Sequence, residues 1–338
     1  MTTRHLRIAA IIAVLLPFSA TGLALPSRAD EIGKKFPDRF PVPQNFYLNK
    51  PAIGFGSDIG AVEHVPVIFL HGNNDTPYPT DCSVGRGRIQ AFAQFFLDHG
   101  YHPSELWGLG YQGDQCDLTQ DNTLRSGVSH TTAAAVPILR QFVRAVLTFT
   151  GAKRIDIVAH SLGVVVAREW MLQDNAYDKV RALVAIDGPN HGIVDCSPSP
   201  TNIFQLPSGG GFTPNSAVCD ELGSDHTQLL NVLNAAGEAP PPTHYLVIRN
   251  KPGTPDFVYN SLLPDGFICA CAFPALDRDG KLHDFTGSAG LAGAETIDLE
   301  GQGQFDDISL SAHLGILNSD QTRAAAWGFL TKLPEQAQ

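Results

Sequence analysis

Short runs of β-branched and aliphatic residues alternate along this chain with longer segments whose apolar residues return at helical spacing. Val65–Leu70, Leu106–Leu109, Ile155–Ala159, Val180–Ile186 and Tyr245–Ile248 read as buried strands, with Ile297–Leu299 as a last one. Ile89, Phe92, Phe96 and Leu97 fall at helical spacing before a stop at Gly100. Val136, Leu139, Val143, Val146 and Leu147 share one face of a helix over residues 131–150, closed by Gly151. Further helices are expected at Leu162–Gln173 and, closing the chain, near Gln321–Leu330. Strands separated by whole helices need crossover connections, so the expected fold is α/β, a mostly parallel sheet with helices on both faces. Two stretches break the alternation, at about 190–243 and 257–295. Both are rich in Gly and Pro, follow strand ends, and are expected to be irregular cap or rim insertions over a pocket. Residues 30–60 carry no sustained period and read as an extended arm lying on the domain.

Hydrophobic residues make up 43% of the 338 and charged residues 17%, enough for a sizeable core and against disorder. Lys and Arg total 23 against 34 Asp and Glu, a formal net charge of −11. Such a surface repels phosphate backbones and anionic headgroups, which argues against a nucleic-acid partner. Arg4 and Arg7 precede the apolar run Ile8–Ala20, and Ser27-Arg28-Ala29 offers a small-x-small cleavage site, with Ala24 as the alternative. Residues 1–29 therefore read as a signal peptide, and 30–338 as a single domain, exported and without stable membrane insertion. Cleavage there removes three Arg and no acid, taking the net charge from −11 to −14. No other segment reads as reaching a transmembrane length. The six cysteines suit that compartment. Neighbourhood favours Cys82 with Cys116 and Cys196 with Cys219; Cys269 and Cys271 would make a tight loop, so a swap among the last four stays open. A zinc site needs two close pairs and only one exists, so no metal is expected.

The decisive segment is Ile155-Asp156-Ile157-Val158-Ala159-His160-Ser161-Leu162-Gly163, an Ala-x-Ser-x-Gly core where a strand ends and a helix begins. A sharp strand-to-helix turn strains the serine backbone and projects its Oγ above the sheet, and small flanking residues let neighbouring backbones approach. The simpler alternative is a serine capping the next helix. Upstream, His71-Gly72-Asn73-Asn74 leaves the first confident strand. A glycine there permits a tight turn, so the backbone N–H groups of Asn73 and Leu162 are the expected oxyanion hole. His160 is expected to point away from the nucleophile and to cap the pocket floor by a hydrogen bond.

The His-Gly-Asn stretch, Ala-His-Ser-Leu-Gly and the late Ser311-Ala312-His313-Leu314-Gly315 resemble the α/β-hydrolase superfamily. More narrowly, they resemble small secreted bacterial lipases and the related extracellular poly(3-hydroxybutyrate) depolymerase. The resemblance covers roughly residues 62–330 and implies carboxyl-ester hydrolysis by a Ser-Asp-His triad without a cofactor. It assigns Ser161 as nucleophile, His313 as base and Asp256 as acid, with Asp187, at the end of an earlier strand, as the alternative acid. His191 reads as structural, and His283 has no assigned task.

The expected substrate is a lipid ester or an aliphatic polyester. Acyl transfer and amide or polyamide cleavage share the same residues, and a non-catalytic binding module would lack one of them. Tyr78, Trp107, Tyr111 and Phe204 are candidates for an apolar landing surface, though aromatics are equally expected in a core.

Overall fold

The computed structural model describes residues 31–83, 87–116, 131–206, 211–254, 256, 258–260, 274–300 and 312–334. Two short strands, β1 (Gln44–Asn45) and β2 (Lys50–Pro51), form a small hairpin in the N-terminal arm. The main sheet has seven strands: β3 (Ile53–Phe55), β4 (Val67–Leu70), β5 (Leu106–Gly110), β6 (Ile155–His160), β7 (Val180–Ile186), β8 (His244–Asn250) and β9 (Glu295–Leu299). They run in the order β3-β5-β4-β6-β7-β8-β9, all parallel except the antiparallel edge strand β3. The arm is therefore not wholly irregular, since its end completes the sheet.

The central strands are buried throughout, so alternate residues feed two separate cores. On one face Ile68, Leu70, Ile157 and Ala159 pack with α2 (Thr132–Thr150) and α3 (Leu162–Gln173). On the other, Val67, Phe69 and Val158 pack with α1 (Arg88–Asp98) and α7 (Asp320–Lys332). Helix α2 begins at a cap, Thr131 Oγ1 accepting from the Ala134 amide at 3.1 Å, and ends at Gly151 with φ 72°. By length and composition α2 is long and apolar enough to cross a membrane, which amends the sequence expectation; more than half of it is buried inside this fold.

The first insertion contains two helices that its Gly- and Pro-rich flanks hide, α4 (Ala217–Leu222) and α5 (Gln228–Ala235). The short α6 (Ala312–Gly315) precedes α7. Disulfides join Cys82 to Cys116 and Cys196 to Cys219, as neighbourhood favours; Cys269 and Cys271 lie outside the described residues. Away from the site, Arg181 Nε donates to Asp156 Oδ1 at 3.0 Å and its Nη2 to Asp156 Oδ2 and the Leu330 carbonyl, pinning α7 to the sheet.

Candidate active site

The carboxyl ends of β4, β6, β7 and β8 converge on one residue, Ser161. It stands between β6 and α3 with φ 53° and ψ −129°, a left-handed backbone that a non-glycine residue holds only under constraint. The constraint comes from both sides. The Ser161 amide donates to the Ile186 carbonyl at 2.9 Å, and the Ser161 carbonyl accepts from the Val164 amide at 2.9 Å. A Cβ on Gly163 would lie 2.7 Å from the His71 carbonyl oxygen, so the helix start can touch the β4 turn only because that residue has no side chain. Ala159 is fully buried and its methyl group is accommodated. The serine is thus an elbow held above the sheet, and its side chain caps no helix amide.

Gly72 lies against Ser161, for a Cβ there would stand 2.9 Å from Ser161 Cβ and 3.0 Å from His160 Nδ1. The turn carrying Asn73 therefore passes directly over the elbow, and Leu162 is the first residue of α3. Gln112, fully buried beyond β5, fastens that turn: its Nε2 donates to Asn73 Oδ1 at 2.8 Å and its Oε1 accepts from the Asn74 amide at 2.7 Å. Tyr111 stacks on His71 with ring centroids 4.3 Å apart, and its hydroxyl donates to the His71 carbonyl. Neither Gln112 nor this use of Tyr111 is apparent in the sequence, where the only signal is adjacency to a strand end. Tyr111 and Trp107 are buried and belong to the core, not to a landing surface; Tyr78 and Phe204 are partly exposed.

His313, on α6, is 2% exposed, and its Nε2 accepts from Ser161 Oγ at 2.9 Å. Its other nitrogen faces two carboxyl groups, with Nδ1 at 3.7 Å from Asp256 Oδ2 and 3.8 Å from Asp187 Oδ2. Both acids weighed from sequence are thus brought to the same imidazole, one from the end of β7 and one from the loop after β8. Burial pulls the His313 pKa down, but the charges of Asp256 and Asp187 outweigh it and leave the group above its ordinary value. Burial, and then the neighbouring Asp256, raises Asp187 to about 7. Asp187, Asp256 and His313 also offer ligand atoms within 4.8 Å of one another, a spacing that a metal ion could bridge. Ser161 Oγ and the two carboxyl groups thus lie against opposite nitrogens of one imidazole.

His160 is buried, and its hydrogen bond runs to the residue that meets Ser161. Its Nε2–H donates to the His313 backbone carbonyl at 2.8 Å, while burial, followed by the positive potential of His313, holds its pKa well below the usual imidazole value. His191 faces Glu238 at 3.4 Å and lies apart from this cluster of contacts.

A strained serine elbow on a parallel sheet, a buried histidine bonded to its hydroxyl and acids behind that histidine define a serine hydrolase of the α/β-hydrolase fold. Residues 64–252 match the lipase (class 2) family, more than half of the chain, and the chain belongs to that family of ester hydrolases. Among solved structures it is similar to a Bacillus licheniformis lipase in its mature form, at 18% identity over 80% of this chain and 96% of that one, with a TM-score of 0.48. An Aspergillus fumigatus lipase matches at 14% identity over 83% of this chain and 56% of that one (TM-score 0.46). An α/β-hydrolase fold protein from Burkholderia ambifaria matches at 11% over 87% and 99% (TM-score 0.45).

Proposed function

We propose that this lipase-family chain is an exported serine carboxyl-ester hydrolase that cleaves lipid esters or aliphatic polyesters through an acyl-enzyme. In this reading residues 1–29 are a signal peptide and 30–338 form one domain, in keeping with the cationic-apolar-small order of the leader and with the two disulfides. The observation that carries the chemistry is the 2.9 Å contact between Ser161 Oγ and His313 Nε2 with carboxyl groups behind Nδ1.

Ser161 Oγ attacks the ester carbonyl carbon as its proton passes to His313 Nε2. Asp256 orients the imidazole and stabilises the imidazolium. Its Oδ1 accepts from the Val258 amide at 2.9 Å, which leaves Oδ2 directed at His313. The N–H groups of Asn73 and Leu162 receive the oxyanion. The alcohol departs with the proton held on His313, and water repeats the sequence on the acyl-enzyme.

The test is a serine-directed phosphonate probe followed by peptide mapping, with a panel of short and long acyl esters, a polyester film and a polyamide. Labelling at Ser161 that disappears in Ser161→Ala, with ester turnover, is the expected result. Labelling that persists in Ser161→Ala would remove the nucleophile assignment. Mass spectrometry of secreted protein should find a start near Asp30, and a retained leader would refute export.

A further inference from the structure

We propose that His313 is served by two acids, with Asp187 a second positioning carboxyl group that holds the imidazole alongside Asp256 and substitutes for it in part when Asp256 is lost. The inference rests on the Ser161–His313 reading above and extends it.

The two carboxyl groups are nearly equidistant from the same nitrogen, at 3.7 and 3.8 Å from His313 Nδ1. Asp187 is held there by more ties than a turn residue needs. Its amide donates to the Ile248 carbonyl at 3.0 Å, and its carbonyl accepts from the Tyr259 hydroxyl at 2.5 Å. Its Oδ1 accepts from the Asn250 amide at 3.1 Å and its Oδ2 from Asn250 Nδ2 at 2.7 Å. Its φ of 43° is a second left-handed backbone at the sheet edge, beside that of Ser161. An asparagine could make most of those hydrogen bonds without charge. Placing an acid 1% exposed beside another acid 2% exposed is costly for folding, and such arrangements gather where chemistry uses them.

The electrostatics agree with two acids and one base. Burial, and then the Asp256 charge, raises Asp187, as expected of two carboxyl groups that repel one another. When the Ser161 proton reaches His313, the imidazolium forms against both carboxyl groups. With Asp256 replaced by a neutral amide, Asp187 loses that repulsion and is the carboxyl group left facing Nδ1. Other titratable groups face the cluster: Asp195 beside Asp256, Tyr259 from its loop, and His160 beneath His313 from β6.

The experiment compares kcat and the kcat/KM pH profile of the full enzyme with Asp256→Asn, Asp187→Asn and the double variant, each shown folded by thermal melting. Asp256→Asn should retain activity on the order of tenfold or more above the double variant, as expected for coupled neighbours. In Asp187→Asn the acid limb of kcat/KM should move to lower pH, because His313 has lost a carboxyl group that raises it; a residue serving only the loop would leave that limb in place. Asn250→Ala, which releases Asp187 without removing either acid, should shift the limb in the same direction and serves if Asp187→Asn does not fold. An Asp256→Asn variant no more active than the double, with an acid limb unmoved in Asp187→Asn or Asn250→Ala, overturns the second acid. Phosphonate labelling of wild-type Ser161 separates the two levels: wild type unlabelled at Ser161 overturns the hydrolase reading and this inference together.

Discussion

Gly72→Ala is the sharpest probe of the turn above Ser161. The added methyl carbon would stand 2.9 Å from Ser161 Cβ and 3.0 Å from His160 Nδ1, against an ordinary carbon contact of about 3.5–4.0 Å. Neither neighbour can give way alone. Ser161 is anchored through its amide to Ile186, and His160 through its Nε2 to the His313 carbonyl. The 71–74 turn must therefore lift by several tenths of an ångström or more, pulling against Gln112, which holds the Asn73 side chain and the Asn74 amide. Overpacking of this kind costs about 1–3 kcal/mol of stability. If Asn73 supplies an oxyanion donor, its displacement costs roughly 2.7–4 kcal/mol in the transition state, a fall in kcat of about 10²–10³. Gly287→Ala is the control, because a Cβ there meets nothing within 4 Å. Steady-state hydrolysis of a soluble short-chain ester, with urea unfolding in parallel, separates the two effects: kcat should collapse in Gly72→Ala with KM little changed. A folded Gly72→Ala enzyme within about threefold of wild-type kcat would mean that the turn does not hold the oxyanion, and the Asn73 assignment would fall with it.

The other expectations are simpler. His160→Leu removes the donor to the His313 carbonyl and should lower kcat, with His160→Gln restoring part of it, since a lost buried bond of this kind is worth about 1–3 kcal/mol; equal rates in Leu and Gln variants would make the bond irrelevant. Arg181→Met leaves Asp156 buried without its cation and should cost about 3–5 kcal/mol in urea unfolding while kcat of the folded fraction holds. Cys196→Ala with Cys219→Ala opens a loop of sequence separation 23 and should lose about 3 kcal/mol, read as a drop in the urea midpoint. Burial pushes Glu221 up to about 7 although the Thr132 and Ala133 amides hold it down, so the native state binds extra proton between the ordinary carboxyl value and that point. Stability from this group is present at low pH and lost as pH rises towards 7, so Glu221→Gln should gain roughly 1–3 kcal/mol over wild type at pH 8 and nothing at pH 4; equal gains at both would refute the linkage.

The legible parts of this fold were those where one physical demand acts alone. A central strand buried on both faces is apolar nearly throughout, so Val180–Ile186 could be read to its limits despite Arg181, whose charge is met by Asp156 on the neighbouring strand. The elbow was legible because strain, close packing and helix initiation all fall on Ala159, Ser161 and Gly163. Where two demands compete the pattern is masked. Strand β3 is three residues long, and a Cβ on its central Gly54 would lie 2.2 Å from the Gly108 carbonyl oxygen and from the Phe36 ring. The glycines that made this region look like an arm are there to let an aromatic side chain reach the sheet. Helix α5 shows its buried Leu230 and Leu233 at helical spacing and a Thr227 cap, yet it sits between turn-rich segments that dominate any reading by composition. The acids illustrate a different limit. Chain order restricts the acid to residues between serine and histidine, and the end of one strand and the loop after another supply the two candidates, so a one-dimensional reading treats Asp187 and Asp256 as rivals. Only the parallel neighbours β7 and β8, in register from Ala182 with His244 to Ile186 with Ile248, carry both strand ends to the same histidine. What looked in sequence like a choice between two residues is, in space, a pair of carboxyl groups whose mutual repulsion and shared imidazole can be measured together.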